Sequence, residues 1–448
     1  MARGGRGALL AFAVAAALLV LLGAVPGARQ RASACAFLRT PTAYEAELSR
    51  ATYLATIDAA SQDALFPGDP VFSLPSVEEG VRGARSSGVR RVPATLLKAI
   101  AWEESTLTMA SRATKFESAG AALISFDCGH GVMQVTTGMT VALGSGGLPS
   151  ADQVKIATHY GYNIARGAAI LAEKWNAAPE TRPVVGTDTA GNPDLVENWY
   201  IATWSYNGFS GPGSFSSNHP SDPTFGAWPR AQYRCDGTQS RRRYPYQELV
   251  WGCMASPPER EGALLWQPLA ASLPDLSQAR FFDPLSLANW VFPYSAMDLP
   301  TPSPVHLDPT PALQPGIRLQ VIGLPRLEAD AEVVIIRLNG LPQEQRATVR
   351  LSNPGVGIVS WFANPGEPWI VVDPPAGVAL GLAVACAPPD CDRAGEITLT
   401  VNPTLLQSTT SVGILRIVSV NGSSPPVIIR VEVDADFEVA APGTSRAD

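Results

Sequence analysis

The 448-residue chain sets 33 Lys and Arg against 40 Asp and Glu, a formal net charge of −7, and only 16% of its residues are charged. That balance offers no basic surface for nucleic acid, and 46% hydrophobic content is too high for a disordered chain despite 40 prolines and 39 glycines. Domains usually run about 100–200 residues, so the chain holds more than one core.

Arg3 and Arg6 precede an uncharged apolar run from Ala8 to Val25, followed by Pro26-Gly27-Ala28 and the small residues Ala32-Ser33-Ala34. This layout reads as a secretory signal over residues 1–34. The run is also just long enough to cross a bilayer, so an uncleaved membrane anchor is the alternative. Without these residues the chain loses four arginines and no acid, and its formal charge becomes −11. An exported anionic protein meets anionic cell wall through shaped local contacts rather than bulk attraction. Six cysteines, an even number in an exported chain, point to disulfides rather than metal. Among the pairings they formally allow, proximity favours Cys386 with Cys391 and Cys235 with Cys253, which leaves Cys35 for Cys128. Cys35 also stands where bacterial lipoproteins carry a lipidated cysteine, although Arg29 and Arg31 separate it from the apolar run.

Residues 35–255 carry helical patterns. Pro93 suits the first turn of a helix, and Leu96, Leu97, Ile100 and Ala101 recur at helical spacing. At about 100° per residue these four span an arc of roughly 140°, with Glu104 near its centre and Glu103 outside one edge. A carboxyl on the core-facing side is partly desolvated, which raises its pKa and lets it hold a proton at neutral pH, as a general acid must. Gly131-Val132-Met133-Gln134 then offers a permissive backbone beside an amide that both donates and accepts, as sugar hydroxyl and acetamido groups require. Asn163-Ile164 leads into Gly167, Ala168, Leu171 and Trp175, an apolar helical stripe whose small residues admit a close neighbour. Trp199, Thr203, Tyr206 and Asn207 form another stripe, stopped by Gly208. Tyr206 is placed to hydrogen-bond the acid or a sugar, and a core tyrosine is the bland alternative. Asp127 is the candidate for a second carboxylate that positions water, against the plain reading of a loop Asp.

Other chemistries fit less well. His130, His159, His219 and His306 lack metal-ligand spacing, and no glycine-rich phosphate loop has a credible context. Cys128 beside His130 suggests a thiol nucleophile, but in an oxidising compartment a disulfide is the better reading. No metal or cofactor is implied.

Prolines crowd residues 256–316, including Pro300-Thr301-Pro302-Ser303-Pro304, and read as a stiff, partly extended linker. Within it, Phe281 to Trp290 holds enough apolar residues to pack back on the first domain. Residues 317–438 become short β-rich runs, among them Val333–Leu338, Trp369–Val372, Ile397–Val401 and Val427–Val433, with Asn421-Gly422 as a hairpin signal. About nine such runs read as a β-sandwich. Trp361 and Trp369 belong to its core or, if exposed, stack on sugars. Residues 439–448 read as a tail.

Glu104-Ser105, Gly-x-Met133-Gln134, Asn163-Ile164-x-x-Gly167 and Tyr206-Asn207-Gly208, in this order, resemble the soluble lytic transglycosylase catalytic domain, related to goose-type lysozyme. The resemblance covers about residues 90–250. It implies cleavage of the MurNAc–GlcNAc bond of peptidoglycan glycan strands without water, leaving 1,6-anhydro ends. By position Glu104 matches the catalytic acid/base, and Ser105, Met133, Gln134, Tyr206 and Asn207 match cleft positions. Two departures stand out: extra sequence around Lys115 to Cys128, which bears on cleft shape, and Val132 where the family usually has Leu. The segments Trp369 to Gly377, Thr398 to Pro403 and Gly413 to Ile417 resemble bacterial immunoglobulin-like modules, a likeness that says little about ligand. The expected fold is therefore a mainly α, lysozyme-like catalytic domain over residues 35–255, followed by an all-β immunoglobulin-like sandwich that binds a cell-wall or protein ligand or acts as a spacer. The alternatives are a lysozyme-type muramidase on the same fold and a non-catalytic wall-binding protein.

Overall fold

The computed structural model describes residues 35–434 except 82, 182–183, 210–216, 221, 277–297, 339–344 and 388–390. The signal or anchor over 1–34, the Phe281–Trp290 segment and the tail lie outside the described residues. Among the described residues no helix is long and apolar enough to cross a membrane.

The first part is mainly helical. Its helices are α1 (Ala51–Ala60), α2 (Ala94–Ser105), α3 (Ala151–Thr158), α4 (Tyr160–Thr181), α5 (Tyr200–Tyr206) and α6 (Tyr246–Ala255). Four short strands, β1 (Thr42–Glu45), β2 (Glu78–Val81), β3 (Ala84–Ser87) and β4 (Ser118–Ala121), make two antiparallel pairs, β1 with β4 and β2 with β3. A small hairpin of β5 (Glu259–Arg260) and β6 (Ala263–Leu264) follows α6.

Local chemistry explains the helix ends. Pro93 sits at the N-cap of α2, where a missing N–H costs nothing, and Thr106 closes the helix in a left-handed conformation with its N–H turned back to Ala101 and Trp102. Ser150 and Gln153 form a reciprocal capping box at the start of α3. Helix α4 buries Ile164, Ala168, Leu171, Ala172 and Trp175 along one stripe. The neighbour admitted by Gly167 is the Met133 side chain rather than another helix, because a Cβ at Gly167 would lie 2.5 Å from Met133 Cβ.

The proline-rich segment is held against the first part. Leu299 and Leu307 make β-bridges to Val185 and Leu195, the Asp308 carboxylate accepts from the backbone and hydroxyl of Thr95, and His306 N–H donates to the buried Glu197 carboxylate. It leads into a short helix, α7 (Ile317–Ile322), packed on α1.

Nine strands complete the chain: β7 (Glu328–Ala329), β8 (Val333–Arg337), β9 (Arg346–Ser352), β10 (Ile358–Pro365), β11 (Ile370–Asp373), β12 (Ala376–Leu380), β13 (Gly395–Val401), β14 (Thr410–Ser419) and β15 (Val427–Asp434). They form a five-stranded sheet of order β12-β10-β14-β15-β8 and a four-stranded sheet of order β11-β13-β9-β7, antiparallel throughout except for the parallel β15–β8 pair. Alternation aims Leu415 and Ile417, Ile429 and Val431, Val349 and Leu351, and Ile397 and Leu399 into one core between the sheets. Trp361 and Trp369 are buried in that core, which leaves neither free to stack on a sugar. Asn421-Gly422 lies in the β14–β15 connection, and the Asn421 amide bonds both Ser360 N–H and Ile358 C=O of β10.

The sandwich is seated on the helical part. Ile358, Ala376, Val378 and Leu380 of β10 and β12 join the first part's hydrophobic core, and Thr158 at the end of α3 hydrogen-bonds Ser360 across the buried junction at 2.9 Å. At Gly377 a Cβ would lie 2.1 Å from Thr42 Oγ1, so only glycine lets β12 approach β1 this closely. Three disulfides, Cys35–Cys128, Cys235–Cys253 and Cys386–Cys391, cross-link the chain. They fit an oxidising, exported compartment. With its sulfur in a disulfide, Cys35 has no thiol to carry a lipid, and Cys128 is not a nucleophile.

Candidate active site

The last turn of α2 presents two adjacent carboxyls. Glu104 opens on a cleft of about 210 Å³ that is also lined by Ser125, Asp127, Gln134, Thr136, Tyr206 and Asn207. Four of the six residues singled out from the sequence therefore meet in one place: Glu104, Gln134, Tyr206 and Asn207. The other two stand behind it. Ser105 is buried, its hydroxyl donating to Val132 C=O at 2.7 Å and accepting from Thr108 N–H at 3.0 Å. Met133 is wholly buried against Gly167, with its N–H on Asn163 Oδ1 and its C=O accepting from Tyr206. Both reside in the scaffold and neither offers a side chain to a substrate. Their part is to fix the Gly131–Gln134 loop against α2 and α4.

That loop is tightly determined. Gly131 has φ +65°, and a Cβ there would lie 2.5 Å from Met109 Sδ and 2.7 Å from Asn163 Nδ2. The Asn163 amide is fully buried and holds both His130 C=O and Met133 N–H. Gln134 is itself left-handed at φ +44°, a conformation maintained by the surrounding bonds, and its Nε2 donates to Gly131 C=O at 2.8 Å. Helix α5 stops as its sequence predicts: Asn207 is the C-cap and Gly208 follows at φ +87°. Asn218 then ties this turn down, donating to Asn207 Oδ1 and accepting from Trp204 Nε1.

Glu104 accepts a hydrogen bond at Oε1 from Tyr246 Oη at 2.6 Å, while its second oxygen has no protein partner among the described residues and faces the cleft. Burial pushes its pKa up to about 7 against the pull of the Tyr246 hydrogen bond, and the neighbouring Glu103 and Asp127 push the same way. With a pKa of about 7 the carboxyl is protonated in about half of the molecules at neutrality, and Oε2, which makes no hydrogen bond to a described residue, is the oxygen available to carry that proton. Tyr206, expected to hydrogen-bond the acid or a sugar or else to be a core tyrosine, donates to Met133 C=O at 2.9 Å while its side chain lines the cleft. Tyr246 was not legible in the sequence: it lies 142 residues from Glu104, and its only local signal is its place after Pro245 at the start of α6.

Glu103 departs from the sequence reading. Its side chain is 1% exposed, ion-paired to Arg241 at 2.5 Å and packed on the Cys235–Cys253 disulfide. Burial raises its pKa to about 7 against the pull of Arg241. The apolar arc assumed a core on one side of the helix, whereas the 228–255 segment adds a second packed layer over the Glu103 face. Glu103 also forms, with Cys235 and Cys253, a cluster of ligand types within metal-binding reach, but the two sulfurs are bonded to each other.

The segment with extra residues around Lys115 to Cys128 builds one wall of the cleft. It includes β4, turns at Ser125 to Cys128 and is pinned by Cys35–Cys128, which places Ser125 and Asp127 beside Glu104. Ser125 Oγ donates to the Asp127 carboxylate. Burial holds His130, His159 and His219 near a pKa of about 4, so all three are neutral.

No family model matches this chain, and no curated protein matches it. Solved structures overlap with it weakly. A Bacteroides ovatus GH5 xyloglucanase in complex with a XXXG heptasaccharide aligns at TM-score 0.17 and 15% identity over 26% of this chain and 20% of its own. The periplasmic chaperone SfaE aligns at 0.20 and 9% over 26% and 61%. PapD-like domain 7 of human CEP192 aligns at 0.20 and 11% over 31% and 98%. The chain spans about a fifth and about three fifths of the length of the first two, and overlaps of this quality carry no argument about its fold or function.

Proposed function

We propose that the protein is a peptidoglycan lytic transglycosylase, with Glu104 as the acid and then the base, a lysozyme-like fold around the cleft and an immunoglobulin-like sandwich seated beside it. The observation that carries this reading is one carboxyl with a pKa raised to about 7, held by a phenol and opening on a cleft lined by amide and phenol groups. In the proposed reaction Glu104 gives its proton to the glycosidic oxygen as the bond from that oxygen to C1 of MurNAc breaks. The resulting carboxylate removes the proton of the same sugar's C6 hydroxyl, whose oxygen closes on C1. Atoms and charge balance without water, and no second catalytic carboxylate is required.

Gln134 and Asn207 supply donors and acceptors for acetamido and hydroxyl groups, and the cleft accommodates a glycan strand recognised by contact rather than by charge. The sandwich contributes a further surface for wall or protein. A second reading, a hydrolysing muramidase, is favoured by one observation: Asp127 lines the same cleft, where a carboxylate would activate water. End-group analysis of products from the parent and Asp127→Asn separates the two. Anhydro ends retained in the variant support the transglycosylase, whereas reducing ends from the parent that disappear in the variant support the hydrolase.

A further inference from the structure

A larger cavity lies elsewhere. A space of about 420 Å³ opens where β1, α1 and the start of α4 meet α7 and the sandwich loop after β12, and it is about twice the volume of the Glu104 cleft. Such a volume lies in the range that takes small ligands. None of its lining side chains is charged. Tyr44, Thr52, Tyr160, Gln314 and Gln320 provide the polar groups, between small apolar residues such as Val321.

Tyr160 carries the argument. It is only 5% exposed, and its ring packs on Tyr53 at 5.3 Å between centroids, yet its hydroxyl has no hydrogen-bond partner among the described residues. The phenol lines the cavity with its O–H committed to no described residue, so it is free to donate to a ligand that displaces water there. Tyr44 opposite is already satisfied, donating to Ala385 C=O at 2.9 Å, and so holds the sandwich loop as the far wall. The position of α7 is equally tight, since a Cβ at Gly161 would lie 2.6 Å from Val321 Cγ1. Gln314 and Gln320 are exposed at the rim of the cavity, and among the described residues neither amide nor the Thr52 hydroxyl makes a side-chain hydrogen bond. The local field disfavours anions: besides burial, the charge of Glu47 raises the pKa of both phenols, and Glu117 and Glu45 add to it at Tyr44.

We propose that this junction cavity is a second ligand site, separate from the Glu104 cleft, that binds a neutral acetamido sugar through the Tyr160 hydroxyl and the two glutamine amides. Phenol donors, amides that both donate and accept, and small apolar contacts match hydroxyl, acetamido and C–H surfaces. The choice of a sugar among neutral ligands rests on the proposed glycan-cleaving function. A ligand here would touch both parts of the molecule at their junction.

Calorimetric titration of the Glu104→Gln protein with the β-1,4-linked dimer of N-acetylglucosamine tests the site without turnover. Two binding events are expected. Tyr160→Phe, which keeps the ring packing, weakens one of them about tenfold, Ala55→Trp fills the cavity and removes the same one, and Gln134→Ala alters only the other. Binding that Tyr160→Phe and Ala55→Trp leave unchanged, or no binding of the dimer at all, overturns the proposal. Tighter Tyr160-dependent binding of anionic N-acetylmuramic acid than of N-acetylglucosamine overturns the neutral class. Because the readout is binding, a protein that cleaves no glycan yet shows the Tyr160-dependent event sinks the catalytic reading alone.

Discussion

Replacing Glu104 by Gln is expected to change how stability depends on pH. Burial raises the carboxyl's pKa from the ordinary 4.5 to about 7. A group raised in this way favours the fold only while protonated: its contribution is complete below about pH 4.5 and is lost as pH rises through about 7. For a fully desolvated carboxyl that shift corresponds to roughly 3 kcal/mol. Glu104 opens on the cleft, where water relieves part of the penalty, so about 1–2 kcal/mol is the working figure. Glu103 titrates in the same range, but it is present in both proteins and largely cancels in the comparison. Urea unfolding of parent and Glu104→Gln at pH 5 and pH 8.5 measures the effect. The stability of the variant relative to the parent should grow by about 1–2 kcal/mol toward the alkaline pH. A difference that is the same at both pH values would refute the reasoning that burial keeps Glu104 neutral.

Two further outcomes follow from the same geometry. Tyr246→Phe removes the hydrogen bond that lowers the Glu104 pKa, so the alkaline limb of the pH–rate profile on peptidoglycan should move up by as much as about one unit while the rate falls about tenfold; an unmoved limb would mean that the phenol does not act on the acid. Replacing Cys35 and Cys128 together by Ser opens a loop with a sequence separation of 93 and should cost about 3–5 kcal/mol in thermal or urea unfolding, with a raised KM because the wall bearing Ser125 and Asp127 loosens.

Much of the molecule was legible because its signals are local. The alternating runs at Val333, Ile397 and Val427 fold as strands, and cysteines close in sequence are paired. Gly208 ends its helix because a left-handed turn needs it. Glu104, Gln134, Tyr206 and Asn207 share a cleft, as the order of their motifs implied by resemblance. What escaped the sequence depends on layers that fold over from far along the chain. Tyr246 reaches the acid only through the placement of α6, and Glu103 is sealed by the Cys235–Cys253 loop. Ser105 and Met133 look like cleft residues by motif, but the packing of Asn163 and Gly167 turns them inward. The proline-rich stretch reads as a linker from composition alone. Its bonds to Thr95, Val185 and Glu197 are visible only once the helices that carry those residues are assembled.

The central claim is that one carboxyl, Glu104, cleaves glycan without water. It is tested most directly by mass spectrometry of the muropeptides that residues 35–448 release from purified peptidoglycan, run beside Glu104→Gln. The account predicts 1,6-anhydro-ended products from the parent and none from the variant. Reducing-ended products from the parent, or equal release by both proteins, would contradict it.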